Sequence, residues 1–349
     1  MIGLISISPN RTSQHLGTKA LEFSGTNFGN LLFTNAVMRH MSDSTRHLGF
    51  DISGKLEDVT QLVIPAANWV YPGFDISETC EQIEKSDLPV VILGLGAQLK
   101  SADDIRNVPA STWRLLKVIE ERSTAISVRG EFTADVLNSM NIKKIEITGC
   151  PSIFYHNLAP IIERARSDEF SVIGYAGNKY GSEILDTLDG DIQRKLYQKI
   201  FDDNALMYYQ SEFEEIKLLN NEVSSNDDTD RLMKYYNFSD YKKLNQTIRM
   251  KGRYFNSVAS WIADLKRLDF FIGSRIHGVI ASYLAGVPAV LITHDNRTLE
   301  LANSMGIPYI EDEAIDFKKF KAEDIYHTID FKLLESKTKQ NLRKFIDLY

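Results

Sequence analysis

Short runs of aliphatic and aromatic residues recur along the chain, separated by stretches in which apolar positions return every three or four residues. The first pattern reads as buried strand and the second as amphipathic helix. In the first half the strand candidates are Ile2–Ile7, Gln61–Pro65, Leu88–Leu95, Ala125–Val128 and Lys144–Ile147. Leu88–Leu95 is nearly unbroken aliphatic, as expected of a strand covered on both faces. Glycines 25 and 29 precede a helix, ending near Met41, with Leu31, Leu32, Val37 and Met38 inward; Asp75–Lys85, Ser111–Arg122 and Gly130–Met140 are further helices. Pro9–Leu21 is polar and reads as a loop. Repeated strand–helix alternation argues a parallel, doubly wound sheet.

Tyr155–Asp168, with Pro160, reads as a link to a second unit of the same kind. Phe170–Ala176 is a strand, Glu183–Phe201 a long helix and Ala205–Gln210 a strand. Ser211, with Glu214 three residues later, has the spacing of a capping box for a helix to Asn220. Asn220–Asp230 is acidic and reads as an exposed loop. Helices follow at Arg231–Tyr236, Tyr241–Met250 and Ser257–Leu268, then strand Ala289–Thr293, helix Arg297–Met305 and strand Pro308–Ile310. Lys318–Tyr349 is charged and mostly helical. The predicted class is α/β, with two Rossmann-like domains at 1–160 and 161–330 and a C-terminal helix at 331–349.

The most informative stretch is Asp269–Gly286, DFFIGSRIHGVIASYLAG. Asp269–Ile272 reads as a strand, Gly273-Ser274 as a turn with Ser274 capping the next helix, and Ile276, Val279, Ile280, Tyr283 and Leu284 as that helix's buried face. Arg275 and His277 fall in its first turn, and Gly278 is one of several small residues that leave room for close approach. A helix N-terminus offers free N–H donors and partial positive charge, so this arrangement suits a phosphate or carboxylate. The small residues equally suit close helix–sheet packing. Gly96 and Gln98 lie just after the Leu88–Leu95 strand, Arg129 after Ala125–Val128, and His294 and Arg297 after Ala289–Thr293. Ligands of open α/β sheets collect at carboxyl ends of strands. For His294 and Arg297, a cap-and-surface role is the alternative. Glu300 has the spacing to pair with Arg297 along its helix.

The chain of 349 residues is long enough for two domains, and its net charge of −7 leaves no broad cationic surface, so nucleic acid is not an expected partner. Two cysteines, Cys80 and Cys150, are too few for a disulfide framework. Cys150 sits in a Gly-Cys-Pro turn with no basic neighbour in sequence and reads as structural. No run approaches the roughly 20 apolar residues of a membrane span, so no stable membrane insertion is expected. The N-terminus reads as a first strand and not a signal peptide, which points to a cytoplasmic location. No motif has metal-ligand spacing. Asp202-Asp203 reads as a helix end and Asp227-Asp228 as solvated. His15, His40, His47, His156 and His327 have no ligand spacing either.

Six segments, taken together, resemble the polysaccharide pyruvyl transferase family. They are GTNFGNLL near the start, VVILGLGAQ, SVRGEFTADVL, ITGCPSIF, IGSRIHGVIASYLAGVPAV and HDNRTLELANSMGIP. The Arg-Ile-His-Gly turn with its downstream Gly-Val-Pro is the most specific. The resemblance implies a GT-B-like architecture with a central cleft, the first domain on the acceptor side and the second carrying the donor-binding helix N-terminus. It implies transfer of the enolpyruvyl unit of phosphoenolpyruvate to a sugar, giving a pyruvate ketal and phosphate. The family's catalytic and donor-holding residues map onto His277, Arg275 and Arg129; Ser274, Gly278, Asn27, Asn30, Gly96, Gln98, His294 and Arg297 complete the expected substrate contacts. Asn30 departs from the aspartate many members carry after that glycine. No cofactor and no metal are expected. The acceptor is left open between lipid-linked, nucleotide-linked and oligosaccharide forms, and so is a homo-oligomeric state. The competing readings are a GT-B glycosyltransferase using a nucleotide sugar, with Glu300 as its ribose contact, and a binding or regulatory protein.

Overall fold

The strands form two parallel systems. In the first, β1 (Ile2–Leu4), β2 (Thr45–His47), β3 (Gln61–Pro65) and β4 (Val90–Leu93) lie in the order β2-β1-β3-β4. The pair β5 (Ile126–Val128) and β6 (Ile145–Ile147) continues it through a bridge from Leu95 to Val128. The second is a six-stranded sheet of order β12-β11-β10-β7-β8-β9. Its strands are β7 (Ile173–Ala176), β8 (Ala205–Tyr208), β9 (Gly252–Arg253), β10 (Phe270–Gly273), β11 (Ala289–Thr293) and β12 (Tyr309–Glu311). This computed structural model describes residues 1–41, 44–99, 102–160, 162, 169–178, 192–202 and 204–349.

The predicted α/β class with two Rossmann-like sheets is what forms. In each sheet the chain starts in the middle and runs first to one edge and then to the other. The reversals fall between β1 and β3 and between β7 and β10. At such a point the connections leave on opposite faces and open a crevice at the strands' carboxyl ends.

Side-chain alternation shows how the sheets share a core. Leu62, Ile64, Val90 and Ile92 face one hydrophobic cluster, while Val63, Val91 and Leu93 face another. Successive strand residues point to opposite faces, so the first sheet is buried on both. Its second face packs on helix Gly29–His40, whose cluster runs on without a break into the core of the six-stranded sheet. The two systems are therefore joined by packed apolar surface. Each fully buried aliphatic side chain there contributes about 1.5–3 kcal/mol.

The C-terminal helix Lys332–Ile346 returns the chain to the first sheet. Phe345 is fully buried against Phe154, ring centroids 4.9 Å apart, and meets His40 edge-on at 5.2 Å. Lys344 pairs with Glu146 of β6 at 2.6 Å.

Several elements depart from expectation. Pro9–Leu21 is not a loop: it holds helix Pro9–Ser13 and most of helix Gly17–Phe23. Ser8 caps the first with proline at its first position, and Ala20 and Leu21 bury the second; helices this short show little periodicity. The expected Ser211–Glu214 capping box does not form, because Glu212 stands at the N-cap of helix Phe213–Leu219. Asn220–Asp230 is not all loop either: Ser225 and Asp228 form a capping box that opens helix Asn226–Tyr236. Asp228 is buried and paired with Lys217 and Arg231, not solvated. Strands β2 and β9 went unpredicted, since both are short, polar edge strands. Part of the predicted helix Glu183–Phe201, much of the link Tyr155–Asp168 and Asp203 lie outside the described residues, and Ile192–Asp202 is helical.

Truncating Phe345 to alanine is expected to lower unfolding free energy by about 3–5 kcal/mol. Ile346→Ala, at an exposed neighbour, is expected to stay within about 0.5 kcal/mol. Urea denaturation of both variants tests whether Phe345 anchors the returning helix; equal effects would show that it does not.

Candidate active site

A cavity of about 150 Å³ lies where the carboxyl ends of both sheets meet. From the first sheet side come Asn27, Asn30, Ala67, Asn68 and Arg129. The second supplies Asn178 after β7, Gln210 after β8, Ser274–His277 after β10, and His294, Arg297, Thr298 and Leu301 after β11. The structure thus brings Arg129, Ser274, Arg275, His277, Asn27, Asn30, His294 and Arg297 to one place.

Arg129 is only 4% exposed. Its Nε donates to the carbonyl of Gly94 at 2.9 Å and its Nη1 to Asn68 Oδ1 at 2.9 Å. Its Nη2 is buried without a partner among the described residues, and so is Gln210 Nε2. An unpaired buried donor costs about 1–3 kcal/mol, more when charged. Two such donors on one small polar cavity mark a place for an acceptor-rich anion.

Arg275 is differently placed. Its Nε donates to the Gly177 carbonyl at 3.0 Å, and its Nη2 donates to Ser211 Oγ at 2.8 Å and to Glu212 Oε1. Glu212, itself buried, also accepts from the backbone of Gln210 and Ser211. Arg297 is balanced in turn by Asp295, its Nε donating at 2.8 Å. Among the described residues, Arg129 is the one of these three cations without a carboxylate partner.

The helix Ile276–Leu284 begins at this cavity. Ser274 does not cap it: its Oγ accepts from the Asn178 backbone at 2.8 Å, and Arg275 occupies the N-cap with no side-chain bond to the helix. The first amides and the positive end of the dipole are left toward the cavity. The helix Glu131–Ser139 offers a contrast. There Glu300 supplies the anion, accepting from Thr133 N at 3.0 Å and Thr133 Oγ1 at 2.8 Å. The expected pairing of Glu300 with Arg297 is therefore corrected; burial also raises the Glu300 pKa.

His277 is 7% exposed, with the Phe33 ring 5.8 Å away. Burial, then Arg129 and Arg275, push its pKa down to about 3. Burial also lowers that of His294, which shares a hydrogen bond with Asn178 Nδ2. The backbone of helix Gly29–His40 comes so close that a Cβ on Gly29 would collide with His277 Nδ1. Asn27 Oδ1 accepts from Gly29 N at 2.8 Å, and Asn30 Nδ2 donates to the Ser24 carbonyl at 3.0 Å. Cys150 does have a basic neighbour, contrary to the sequence reading: its Sγ lies 3.8 Å from His277 Nε2. The two are 127 positions apart, so local sequence gave no sign of it.

Three expected contacts lie off the cavity wall. A Cβ on Gly96 would come within 2.6 Å of Asn68 Oδ1 and 2.9 Å of Arg129 Cδ, so this glycine lets that pair seat. Gly278 packs on Phe271, whose ring a Cβ would approach to 2.9 Å. Gln98 lines an adjoining groove of about 690 Å³ with Tyr71, Pro72, Asp104, Asp295 and Arg297. Sequence reasoning missed Asn178, Gln210 and Glu212. Asn178 follows the predicted strand Phe170–Ala176 by two positions and Gln210 closes the predicted strand Ala205–Gln210, so polar residues at strand ends were the available signal. Among the described residues no cluster of His, Cys, Asp or Glu is arranged to hold a metal ion, and no helix is long and apolar enough to cross a membrane.

The family model of polysaccharide pyruvyl transferases matches residues 27–296. The chain belongs to the polysaccharide pyruvyl transferase family. The matched segment takes in the cavity residues from Asn27 to His294 and ends before Arg297, Thr298 and Leu301. No curated protein sequence matches the chain. Among solved structures, UDP-N-acetylglucosamine 2-epimerase from Rickettsia bellii is 11% identical with a TM-score of 0.41, covering 99% of this chain and 96% of that one. MnaA of S. aureus, solved with UDP, is 9% identical with a TM-score of 0.44, covering 97% and 90%. The Neisseria meningitidis UDP-GlcNAc 2-epimerase is 10% identical with a TM-score of 0.42, covering 100% and 94%. Likeness at this level carries no functional argument.

The depressed His277 pKa has a stability consequence. Between about 3 and the ordinary 6.5, the unfolded chain binds a proton at this position and the folded chain does not. Its contribution is thus complete above the ordinary value and is lost as pH falls toward 3, by up to about 1.4 kcal/mol per pH unit. His277→Gln is expected to flatten the fall in urea stability between pH 7 and 5. The other histidines with lowered pKa act alike in both proteins and cancel. Equal slopes would show that folding does not hold His277 neutral.

Proposed function

We propose that the protein transfers the enolpyruvyl group of phosphoenolpyruvate onto a sugar of a cell-surface glycan or its precursor, forming a pyruvate ketal. The observation that carries this reading is the buried Arg129, whose Nη2 has no partner among the described residues, beside an uncapped helix N-terminus and His277. Phosphoenolpyruvate presents a phosphate and a carboxylate close together. A guanidinium and free backbone amides are matched to such planar and tetrahedral anions.

The same donor changes His277. Alone, the imidazole is neutral, held so by burial and by two neighbouring arginines. A bound anion offsets their charge and favours the imidazolium, so the acid forms as the substrate binds. His277 then gives its proton to the methylene carbon, and positive charge develops at the adjacent carbon, flanked by oxygen. A sugar hydroxyl attacks that carbon, the bond to the phosphate oxygen breaks, and a second hydroxyl of the same sugar closes the ring. Of the two hydroxyl protons, one leaves on the phosphate and the other returns to His277 through solvent, which replaces the proton given to carbon. Arg129, with Arg275 behind it, holds the donor, while the groove lined by Tyr71, Gln98 and Asp104 is the approach for the sugar. Asn30, where the family often carries an acid, donates to backbone and is no base for the hydroxyl.

One observation weighs against a nucleotide-sugar glycosyltransferase: Glu300, the expected ribose contact, is committed to Thr133.

Phosphate release from phosphoenolpyruvate, with galactose-, mannose- and N-acetylhexosamine-containing acceptors, tests the proposal. The wild type is expected to release phosphate only with an acceptor, whose mass rises by one pyruvate ketal. His277→Ala is expected to lower the rate by about 10²–10⁴-fold, and Arg129→Ala to raise KM for the donor. Stabilisation by UDP but not by phosphoenolpyruvate, with no release, would overturn it in favour of a nucleotide-sugar enzyme.

A further inference from the structure

Cys150 is fully buried at the start of the turn Pro151–Phe154, which packs between helices Gly29–His40 and Ile276–Leu284. Its thiol donates to Ser152 Oγ at 3.2 Å, and its sulfur lies 3.8 Å from His277 Nε2. A thiol has one proton to give. With that proton on Ser152, the sulfur lone pairs are what faces the ring, and Nε2 must carry a hydrogen to meet them. The other ring nitrogen, Nδ1, lies against Gly29 beside Asn27, a residue of the cavity wall.

We propose that Cys150 is a positioning residue that fixes His277 as the Nε2–H tautomer and so makes Nδ1 the nitrogen that exchanges a proton at the cavity. The cysteine stays neutral and is neither nucleophile nor acid. In the forward step the Nδ1–H bond of the imidazolium breaks as the new C–H bond forms on the donor's methylene carbon. The electron pair of the N–H bond stays on Nδ1, and Nε2–H remains directed at sulfur throughout. Which nitrogen of a histidine works is set by the bond the other makes. The catalytic half of this inference rests on the proposed pyruvyl transfer; the tautomer does not.

The first test is therefore independent of activity. Protein labelled with ¹⁵N in histidine is examined by long-range proton–nitrogen correlation at pH 7, with His277→Gln identifying the His277 signals. The wild type is expected to show a bare Nδ1 and a protonated Nε2. Cys150→Ser, whose hydroxyl oxygen also accepts, is expected to keep that pattern, while Cys150→Ala and Cys150→Val shift population toward Nδ1–H. A wild-type spectrum with Nδ1 protonated, or an unchanged spectrum in whichever of the two apolar variants folds, would overturn the proposal. In the transfer assay Cys150→Ala is expected to lower kcat at least about tenfold with KM for phosphoenolpyruvate within about twofold, and Cys150→Ser to restore most of the rate. Loss of both in parallel with thermal stability would reduce Cys150 to packing. If no phosphate is released by any protein, the spectra still decide the tautomer, and only the pyruvyl-transfer reading falls.

Discussion

A guanidinium buried between two sheets, with one nitrogen unpaired among the described residues, is the constraint around which this molecule is arranged. Taking the Arg129 charge out of water is costly unless something meets it. The described residues meet part of it, with the Gly94 carbonyl and Asn68. The remainder is held open by rigid surroundings: Gly96 permits the close approach, β4 and β5 fix the loop, and Ser304 Oγ donates to the Arg129 carbonyl at 2.6 Å from the other half of the chain. On the proposed reading, an anion entering the cavity would complete the set of partners, and binding and the relief of unpaired charge would be the same event.

The surrounding ion pairs explain why the site does not satisfy itself. Arg275 is balanced by Glu212 and Arg297 by Asp295, so neither carboxylate is free to swing onto Arg129. Glu300, also near, is committed to Thr133. Local positive charge stays in place and acts on His277, which is neutral for the combined reasons of burial and like charge. On the proposed reading, a histidine that stays neutral until an anion arrives ties acid formation to donor binding. The sulfur of Cys150, on the far edge of the ring, belongs to the same arrangement.

These relations depend on the two sheets being held as one body. Helix Gly29–His40 belongs to the first sheet's side yet shares a core cluster with the second, and the returning C-terminal helix buries Phe345 on Phe154. Phe28 N also donates to the Gln210 carbonyl at 2.8 Å, across the cavity's edge. A site assembled from both sides needs such ties, because small displacements would separate Arg129 from His277.

Much of this was legible along the chain. Apolar runs of strand length separated by helical spacing are local properties, so the parallel α/β class followed from them, and the residues directly after strands pointed to the cleft. His277, Arg275 and Arg129 were readable because motif and strand end coincide. Sequence did not show which arginine is balanced, because Glu212 meets Arg275 only after β8 and β10 are both placed beside β7. It misassigned Glu300 for a similar reason: helical spacing offered Arg297, while folding brought Thr133 from a distant helix within hydrogen-bonding range. Cys150 and His277 met only through packing of a turn from one half of the chain against a helix of the other. Periodicity reports which face of an element is buried; it carries no information about which charges share that interior. Local pattern was enough for the class, for most of the longer elements and for the chemical groups available; only the packing of distant segments set which buried cation has no carboxylate partner among the described residues.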